Sequence, residues 1–389
     1  MAPAKIVHVI TGTAIGGAEI MLLRYLRALG DARSNHTVVS MMPCGPVADM
    51  IRDAGVEVID LQAGSAARIP SAIGRLRSII ARKSPDVVHG WMYHGSLISA
   101  LALRLARRAD IGLVWAIHHS LSDPAKEKPM TRAVLRGLRM LSGRADCLTY
   151  CSRQSAEQHL AYGLEADRNE FVPNAIDTTE FRPDPLAGER LRAAAGIPEG
   201  RFVVGSVARA HPMKDHVSFT RAVAALAERG MDVHGVLIGA GQPDSPAAAE
   251  ASKLGIKERF TALPARDDIA QLMPGLDVYL LSSAWGEALP LAVGEAMASG
   301  VIPVVTDIGD CAWLVGDSGA TCPPERPDLM ADAIQHFLQL PPAEREALAA
   351  GARARIEDQL SMRDYIARHD EIYHRARAER SAAQPAVAA

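Results

Sequence analysis

Short apolar runs and longer amphipathic segments alternate along most of this chain. In the first half, the runs predict strands at Lys5–Thr11, His36–Met42, Glu57–Leu61, Val87–Gly90, Leu113–His118 and Cys147–Cys151. A helical pattern follows each run, the first being Ala18–Leu29, which ends at Gly30. Strands that are apolar on both faces and separated by helices indicate a parallel sheet covered by helices on each side.

The same rhythm restarts after a polar segment in which Pro173, Pro183 and Pro185 interrupt regular structure. In this second half, strands are predicted at Phe202–Val207, Val233–Ile238, Phe260–Leu263, Val278–Leu281 and Ile302–Val305, and helices at His216–Arg229, 327–339, 342–359 and 362–379. The pattern predicts an α/β protein with two Rossmann-like, doubly wound domains, residues 1–180 and 181–361, and a flexible tail at 380–389. Ligands of such sheets bind beyond the carboxyl ends of the strands.

The composition is that of a globular protein: of 389 residues, 48% are apolar and 22% are charged. The net charge of −3 gives no reason to expect nucleic acid as a partner. Residues 1–180 hold 21 Lys and Arg against 17 Asp and Glu, whereas the remainder holds 21 against 28. This difference fits a basic first domain that faces anionic lipid or a phosphate-bearing acceptor, and it equally fits chance variation in composition.

The cellular location is predicted from cysteines and from apolar segments. The five cysteines lack metal or disulfide spacing, which predicts reduced, mostly buried thiols. The first residues do not form a signal peptide, and no apolar run reaches the ~20 residues of a membrane span. We therefore expect a cytoplasmic protein, with peripheral contact at the inner face of the membrane as a further option.

A basic amphipathic helix is predicted between Thr131 and Arg144, where Arg132, Arg136 and Arg139 recur at helical spacing. Such a helix can rest on an anionic membrane surface. The alternative, which the pattern favours over membrane contact, is a solvated face above a stripe that packs on the protein core.

Two glutamates, Glu287 and Glu295, lie eight residues apart in SSAWGEALPLAVGEAMASG. The pattern places Glu287 on a loop and Glu295 on the opening turns of a helix that ends near Gly300. Carboxylates beside the free N–H groups of a helix start suit a ligand that offers both hydroxyls and phosphates, such as a sugar nucleotide. The alternative is a helix cap formed by Glu295 and a surface position for Glu287.

Two cations, Arg209 and Lys214, follow the first strand of the second half. An arginine fork and a compact lysine charge suit phosphate oxygens, although both side chains are also typical of a solvated loop. No Asp-x-Asp triplet occurs in the chain, so the usual carboxylate clip for a metal and a diphosphate is missing. The charge of a diphosphate would then fall to these cations and to helix amides.

Two further features follow predicted strands of the first half. Gly16 and Gly17 separate the first strand from the first helix, and they allow backbone to approach a ligand or simply form a tight turn. The loop is not the Gly-x-Gly-x-x-Gly pattern of a dinucleotide site. His118 and His119 end another strand and should point to opposite sides, so only one can face a ligand; a structural histidine is the alternative.

Together these residues resemble the retaining glycosyltransferases of family 4, which have the two-domain GT-B fold. The resemblance spans nearly the whole chain and rests on the early glycine loop, Val172–Asp177, Arg209 with Lys214, and the Glu-x7-Glu element with its tail EAMASGVIPVVTDIGD. The sequences of several segments, such as VHGWMYHGSL and WAIHHS, look most like those of transferases of bacterial capsule, exopolysaccharide or O-antigen synthesis.

The resemblance implies a donor-binding domain in residues 181–361 and an acceptor-side domain in residues 1–180, completed by helix 362–379. It implies that Arg209 and Lys214 hold the donor diphosphate, that Glu295 holds the ribose and that Glu287 contacts the donor sugar. Gly16 and Gly17 would close over the diphosphate, and His118 would approach the reacting carbon. Further donor contacts are implied for Ala288, Leu289, Pro290 and Leu291.

The implied reaction is transfer of a sugar, with retention, from a nucleoside diphosphate sugar to a glycan or polyprenyl-linked acceptor. A UDP-sugar ranks ahead of GDP-mannose, and neither a metal nor another cofactor is expected. Two alternatives stay open: another GT-B enzyme, such as a sugar-nucleotide epimerase, and a non-catalytic partner in a polysaccharide assembly complex.

The chain departs from the family pattern at two positions. The family often has Glu-Gly-Phe where this chain has Glu287-Ala288-Leu289, and Pro-Asn-Gly where this chain has Pro-Asn-Ala. Because Ala288 lacks the backbone freedom of glycine, we expect the donor-sugar contacts of this loop to be altered.

Overall fold

The computed structural model describes residues 3–382, which form two compact units. One unit contains the chain up to Asn174 together with the last helix, and the other runs from Ala175 to Ser361. The predicted boundary at 180/181 is therefore six residues too late. The reason is local pairing, because Ile176 donates its N–H to the backbone oxygen of Leu360 and forms a parallel bridge with Ser361.

The first unit is built around seven parallel strands. They are β1 (Ile6–Ile10), β2 (His36–Ser40), β3 (Glu57–Asp60), β4 (Val87–Trp91), β5 (Gly112–Ile117), β6 (Cys147–Tyr150) and β7 (Asn169–Phe171). The connecting helices are α1 (Gly17–Ala28), α2 (Pro46–Asp53), α3 (Ile69–Lys83), α4 (Met92–Ala106), α5 (Pro129–Leu141) and α6 (Arg153–Tyr162). The strand order β3-β2-β1-β4-β5-β6-β7 is doubly wound.

The second unit repeats this design. Its strands are β8 (Phe202–Val207), β9 (Val233–Ile238), β10 (Phe260–Leu263), β11 (Val278–Leu281), β12 (Ile302–Thr306) and β13 (Ala320–Cys322), in the order β10-β9-β8-β11-β12-β13. Its helices are α7 (Ala187–Ala195), α8 (His216–Glu228), α9 (Pro246–Lys253), α10 (Ile269–Leu272), α11 (Leu291–Ala298), α12 (Cys311–Val315), α13 (Pro327–Gln339) and α14 (Pro342–Gln359). The α/β prediction with two doubly wound domains is confirmed.

The last helix, α15 (Met362–Ala382), packs on the first unit, where Arg380 Nε lies 2.8 Å from Asp146 Oδ1. Residues 380–382 belong to this helix, so the prediction of a tail from 380 is wrong at its start. The rest of that predicted tail, 383–389, lies outside the described residues. Within residues 3–382, no helix combines the length and the apolar character that a membrane span needs.

Burial explains which strands the sequence revealed. Every residue of β1, β2, β4, β5 and β6 is buried, because helices cover both faces of the sheet. The two strands that the sequence did not reveal, β7 and β13, have three residues each and are partly exposed. Four of the five cysteines are buried and all five are free thiols, whereas Cys44 is only partly covered.

Candidate functional site

Lys214 is held at the end of a single 3-10 turn, Pro212–Lys214, between β8 and α8. The next residue, Asp215, has a left-handed backbone with φ of 42°, and its carboxylate accepts hydrogen bonds from the N–H and hydroxyl of Ser218. This cap begins α8 and fixes the direction in which the chain leaves Lys214.

The buried carboxylate of Glu287 binds Lys214 directly. Lys214 Nζ lies 2.6 Å from Glu287 Oε1, and the hydroxyl of Ser283 donates to the same oxygen at 2.5 Å. The side chains of Lys214 and Glu287 are 17% and 8% exposed, so water screens this ion pair weakly. The surface position that we considered as an alternative for Glu287 is therefore wrong. Both of these side-chain contacts fall on Oε1 and not on the second oxygen, Oε2.

Backbone contacts join the Lys214 loop to the Glu287 loop. Ser282 donates its hydroxyl to the backbone oxygen of Lys214 at 2.9 Å, and Ala284 N–H donates to Met213 O at 2.8 Å. Gly286 has φ of 81°, and a Cβ there would lie 2.5 Å from Met213 Sδ. The two loops therefore form one body, and the separation of Lys214 from Glu287 is fixed by main chain.

Arg209 occupies the same connection but is exposed, and it forms no ion pair with any described residue. Its backbone is nevertheless held, since Ala208 N–H donates to Ile238 O at 3.0 Å and Gln242 Nε2 donates to Ala208 O at 2.7 Å. Gly239, directly after β9, leaves room for Ala208 O, which a side chain at that position would displace. Two glycines after a strand, Gly239 and Gly241, were the available signal for this supporting loop.

The residues from Ala288 to Leu291 connect Glu287 to α11. Ala288 and Leu289 are buried, Pro290 is the N-cap and Leu291 is the first helical residue. Asp310 N–H donates to Ala288 O at 2.9 Å, which ties this loop to the segment after β12. Ala288 is not among the described residues with positive φ, so its backbone conformation does not require glycine. Backbone restriction at Ala288 is therefore no longer a reason to expect altered donor-sugar contacts, and the contacts themselves stay a prediction.

Glu295 lies in the second turn of the eight-residue helix α11 and is buried. It is not the cap of this helix, because Pro290 holds that position without a side-chain hydrogen bond. Tyr279 of β11 lies within electrostatic range of both glutamates: burial raises the pKa of Tyr279 first, and Glu295 and Glu287 raise it further. The two carboxylates thus act electrostatically on the same buried tyrosine.

In the first unit, Gly16 is the N-cap of α1 and Gly17 is its first residue. A side chain at Gly16 would overlap with the carboxylate of Glu19, which folds back over the turn. Thr13 is buried and anchors the loop, because its hydroxyl accepts the N–H of Gly45 at 2.7 Å. The loop that leads into this exposed turn is therefore held in place at Thr13.

His118 follows β5 and stacks on Trp91 with ring centroids 5.1 Å apart and planes 12° apart. Its Nδ1 lies 3.0 Å from Oδ1 of the buried Asn174. Burial lowers the pKa of His118 to about 4, although the hydrogen bond to the amide oxygen of Asn174 raises it, so the ring is neutral near pH 7. With Nδ1–H donating to the amide oxygen, Nε2 becomes an acceptor.

His119 contacts a different group: its Nε2 lies 3.2 Å from Glu127 Oε1. The two neighbouring histidines therefore contact different groups, as the alternation of side chains along a strand predicted.

Behind His118 lies a buried set of aromatic and imidazole rings that sequence reasoning missed. Trp91 Nε1 donates to His8 Nδ1 at 3.1 Å, and His8 Nε2 lies 2.9 Å from His36 Nδ1. From α15, Tyr373 OH lies 2.8 Å from His89 Nδ1. In the sequence, this cluster is indicated only by isolated histidines within apolar strands. Which of them are in contact cannot be predicted without the order of the strands in the sheet.

The structure thus brings Lys214 and Glu287 into contact and places Arg209 and Glu295 on the same unit. Gly16, Gly17 and His118 belong to the first unit, and their approach to a donor stays a prediction. Within residues 3–382, no group of three or more His, Cys, Asp or Glu side chains is arranged to hold a metal. Metal independence likewise stays a prediction.

Two family models match successive parts of the chain. The model described as Glycosyltransferase Family 4 matches residues 15–180, and the model described as Glycosyl transferases group 1 matches residues 188–355. The short gap between the two matches falls in the proline-containing segment that separates the two strand-and-helix patterns.

Individual proteins show the same similarity. Glycosyltransferase EpsF of Bacillus subtilis (strain 168) is 26% identical over 310 residues, which cover 78% of this chain and 79% of that protein. The UDP-Gal:alpha-D-GlcNAc-diphosphoundecaprenol alpha-1,3-galactosyltransferase of Escherichia coli is 23% identical over 324 residues, covering 80% and 81%. The solved structure of HepE from Anabaena with UDP-glucose has a TM-score of 0.83 and 20% identity, covering 96% of this chain and 100% of that one. At this identity, the structural likeness shows a shared fold.

Proposed function

This chain belongs to family 4 of the glycosyltransferases, the group 1 type with the GT-B fold, and on that premise we propose that it transfers a sugar from a nucleoside diphosphate donor with retention. The proposed donor is a UDP-sugar, with GDP-mannose next. The proposed acceptor is a glycan or a polyprenyl-linked sugar in bacterial surface polysaccharide synthesis.

The observation that carries the proposal is the contact of Lys214 with Glu287 on loops locked together by backbone hydrogen bonds. A cation and a carboxylate at fixed separation suit a ligand that presents phosphate oxygens beside sugar hydroxyls. Glu287 Oε2 can accept from such hydroxyls while Oε1 keeps Ser283. Arg209, exposed on the same connection, is suited to the diphosphate, and Glu295 to the ribose.

His118 is proposed to accept a hydrogen bond from a donor-sugar hydroxyl through Nε2. Its low pKa keeps the ring neutral, which a hydrogen-bond acceptor requires. The stack on Trp91 and the contact with Asn174 would hold its orientation. Gly16 and Gly17 are proposed to approach the diphosphate with backbone N–H groups.

In the proposed reaction, the bond from the anomeric carbon to the diphosphate oxygen breaks while a bond to the acceptor oxygen forms on the same face. The acceptor proton passes to the departing phosphate oxygen, and a nucleoside diphosphate leaves. Catalysis is then mainly electrostatic, because fixed cations meet the charge that develops on the leaving group.

The acceptor proposal is supported by one relative, whose name describes a diphosphoundecaprenol-linked acceptor. Helix α5 would provide contact with the inner face of the membrane, since it carries the exposed Arg136 and Arg139 and the partly buried Arg132 above four buried apolar residues. Met130 and Met140, near its two ends, are exposed as well. Replacing Arg132, Arg136 and Arg139 by Ala should then reduce sedimentation with anionic vesicles. Equal sedimentation of variant and parent would leave α5 as an ordinary solvated helix.

Donor turnover tests the proposed function. Purified protein is incubated with UDP-glucose, UDP-galactose, UDP-N-acetylglucosamine or GDP-mannose, and release of the nucleoside diphosphate is measured with and without acceptor. We expect slow release without acceptor and faster release with it. Conversion of the donor sugar without any acceptor dependence would favour an epimerase, and no turnover of any donor would favour a non-catalytic partner.

Metal independence is tested in the same assay. Because the chain lacks an Asp-x-Asp clip, we expect turnover to persist in excess EDTA. An absolute requirement for Mg²⁺ or Mn²⁺ would overturn this part of the proposal without affecting the family assignment.

A further inference from the structure

A pocket rich in arginine lies at the edge of the first unit's sheet where the strands begin. Its volume is ≈ 270 Å³. Five guanidinium groups line it: Arg104, Arg107, Arg108, Arg144 and Arg380. Ile111 and Leu113, at the start of β5, also line it, whereas His118 follows the end of the same strand. At ~3.3 Å per residue, the pocket lies roughly 20 Å from His118.

Two of the five charges are matched locally. Arg108 forms a forked pair with Asp110, with Nε–Oδ1 and Nη2–Oδ2 distances of 2.7 Å, and Arg380 Nε lies 2.8 Å from Asp146 Oδ1. The other three arginines, Arg104, Arg107 and Arg144, are exposed and form no ion pair within residues 3–382. The pocket therefore has three cations without a matching carboxylate.

The helix macrodipole accounts for only part of this cluster. Arg104 and Arg107 lie at the carboxyl end of α4, where cations are favourable without any ligand. Arg144 follows α5, and Arg380 comes from α15 and donates from Nη2 to Arg144 O at 2.8 Å. Three separate elements thus bring like charges to one pocket, and an anion bound between them would reduce their mutual repulsion.

We propose that this pocket binds a phosphate group, carried either by a soluble anion or by a phospholipid headgroup. Guanidinium forks match phosphate oxygens in geometry and keep their charge at all working pH values. Two exposed apolar side chains on the same helices, Leu105 (55% exposed) and Met140 (84% exposed), suit the headgroup source. The site is separate from the proposed donor site: within the first unit it lies where β5 begins, whereas His118 follows the end of β5, and Lys214 and Glu287 belong to the other unit.

Hydrogen–deuterium exchange, read peptide by peptide on the full chain, separates this site from the donor site. The probes are inorganic pyrophosphate and vesicles of phosphatidylglycerol in phosphatidylcholine. We expect either probe to protect peptides that cover 103–113 and 142–146. Protection of 208–216 and 283–295 by pyrophosphate would report donor-site binding separately, so the proposed function and this proposal can fail independently.

A triple variant, Arg104→Ala, Arg107→Ala and Arg144→Ala, tests the residues. The matched control replaces Arg27, Arg77 and Arg82 by Ala, which removes the same charge from exposed positions of the same unit. With ~1 kcal/mol for each cation, the pocket variant should bind the responding probe about a hundredfold more weakly than the control. The probe that responds identifies the source of the phosphate.

Two results would overturn the proposal. One is the absence of protection at 103–113 and 142–146 with both probes. The other is an equal loss of binding in the pocket variant and the control, which would reduce the effect to net charge. Because the three replaced side chains are exposed and unpaired, a circular dichroism melt is expected to show unchanged folding.

Discussion

At the scale of single residues, Lys214 Nζ contacts Glu287 Oε1. The resemblance assigns these two side chains to different parts of the donor, Lys214 to the diphosphate and Glu287 to the sugar. Each charge fixes the other, and Ser283 shares the same oxygen. A donor that enters this site must therefore fit a pair that already exists, which reduces the reorganisation needed on binding.

Arg209 is the residue for which an effect on turnover is most clearly separable from an effect on folding. It is exposed and unpaired among the described residues, so Arg209→Ala should leave the melting temperature nearly unchanged. If it meets charge on the leaving diphosphate, turnover should fall by about 10²–10³. Steady-state kinetics with the best donor measure this, with Arg27→Ala as control. Parental turnover by Arg209→Ala would remove the assignment.

The glycine requirement in the donor loop belongs to Gly286 and not to position 288. Gly286→Ala would place an L-residue at φ of 81° and its Cβ 2.5 Å from Met213 Sδ. The thioether can move, but the backbone strain remains, so we expect a loss of ~1–3 kcal/mol in unfolding free energy and weaker donor binding.

Ala288→Gly is the matched comparison. Since Ala288 lacks a positive φ, this change should cost only about 0.4–1 kcal/mol, through the entropy of the unfolded chain. Donor preference should stay the same. Urea unfolding and a donor panel measure both variants, and a switch of donor in Ala288→Gly would contradict this interpretation.

At the scale of elements, the close packing of α4 on the sheet depends on small residues. A Cβ at Gly95 would overlap with the backbone oxygen of Val9 in β1, and a Cβ at Gly90 would lie 2.5 Å from Ser96 Cα. In both cases the neighbour is backbone, which cannot rotate away. The glycines therefore set the distance at which α4 covers β1 and β4.

Gly95→Ala is accordingly expected to destabilise the first unit. Overpacking against main chain typically costs ~1–3 kcal/mol, and here the helix must move away from the sheet. Gly74→Ala in α3 is the control, because nothing lies within 4 Å of its Cβ. That change should instead stabilise the helix by about 0.5–1 kcal/mol. Urea midpoints that shift in the same direction for both variants would contradict the packing argument.

At the scale of the whole molecule, buried neutral histidines link stability to pH. Burial lowers the pKa to about 4 for His36, His118, His159, His216, His234 and His369, and it lowers the pKa of His8 and His89 well below the usual value of a histidine. Between pH 6.5 and 4 the unfolded chain binds more protons at these sites than the folded chain does. Stability is therefore intact above pH 6.5 and is lost as pH falls through this window.

Each such histidine should cost ~1.4 kcal/mol for each pH unit below 6.5. Several kcal/mol of unfolding free energy should thus disappear between pH 7.5 and 5.5 in urea titrations. His234→Gln should reduce this slope, because His234 is 3% exposed in β9, whereas replacing the exposed His336 should not. A stability that is constant down to pH 5 would show that these imidazoles are hydrated or protonated in the folded protein.

Much of the fold could be predicted from the sequence because it depends on short-range patterns. Apolar runs predicted β8, β9, β10 and β11 to the residue. In β9 and β11 every residue is buried, as expected of strands covered on both faces, whereas β10 is an edge strand whose four residues are partly buried. The edge strands β7 and β13 lack a recognisable apolar run, because each has only three residues and is partly exposed.

The sequence by itself determined which residues are candidates for the site, since Arg209, Lys214, Glu287 and Glu295 are polar groups placed where parallel strands end. Only the tertiary structure decided how they combine: that Glu287 is buried against Lys214, that Gly286 carries the positive φ, and that Trp91, His8 and His36 support His118. The physical reason is that spacing along a chain fixes the direction of neighbouring side chains, whereas contacts across strands depend on sheet order and loop closure. Pairs such as Lys214 and Glu287, 73 residues apart, become neighbours only when that order is formed.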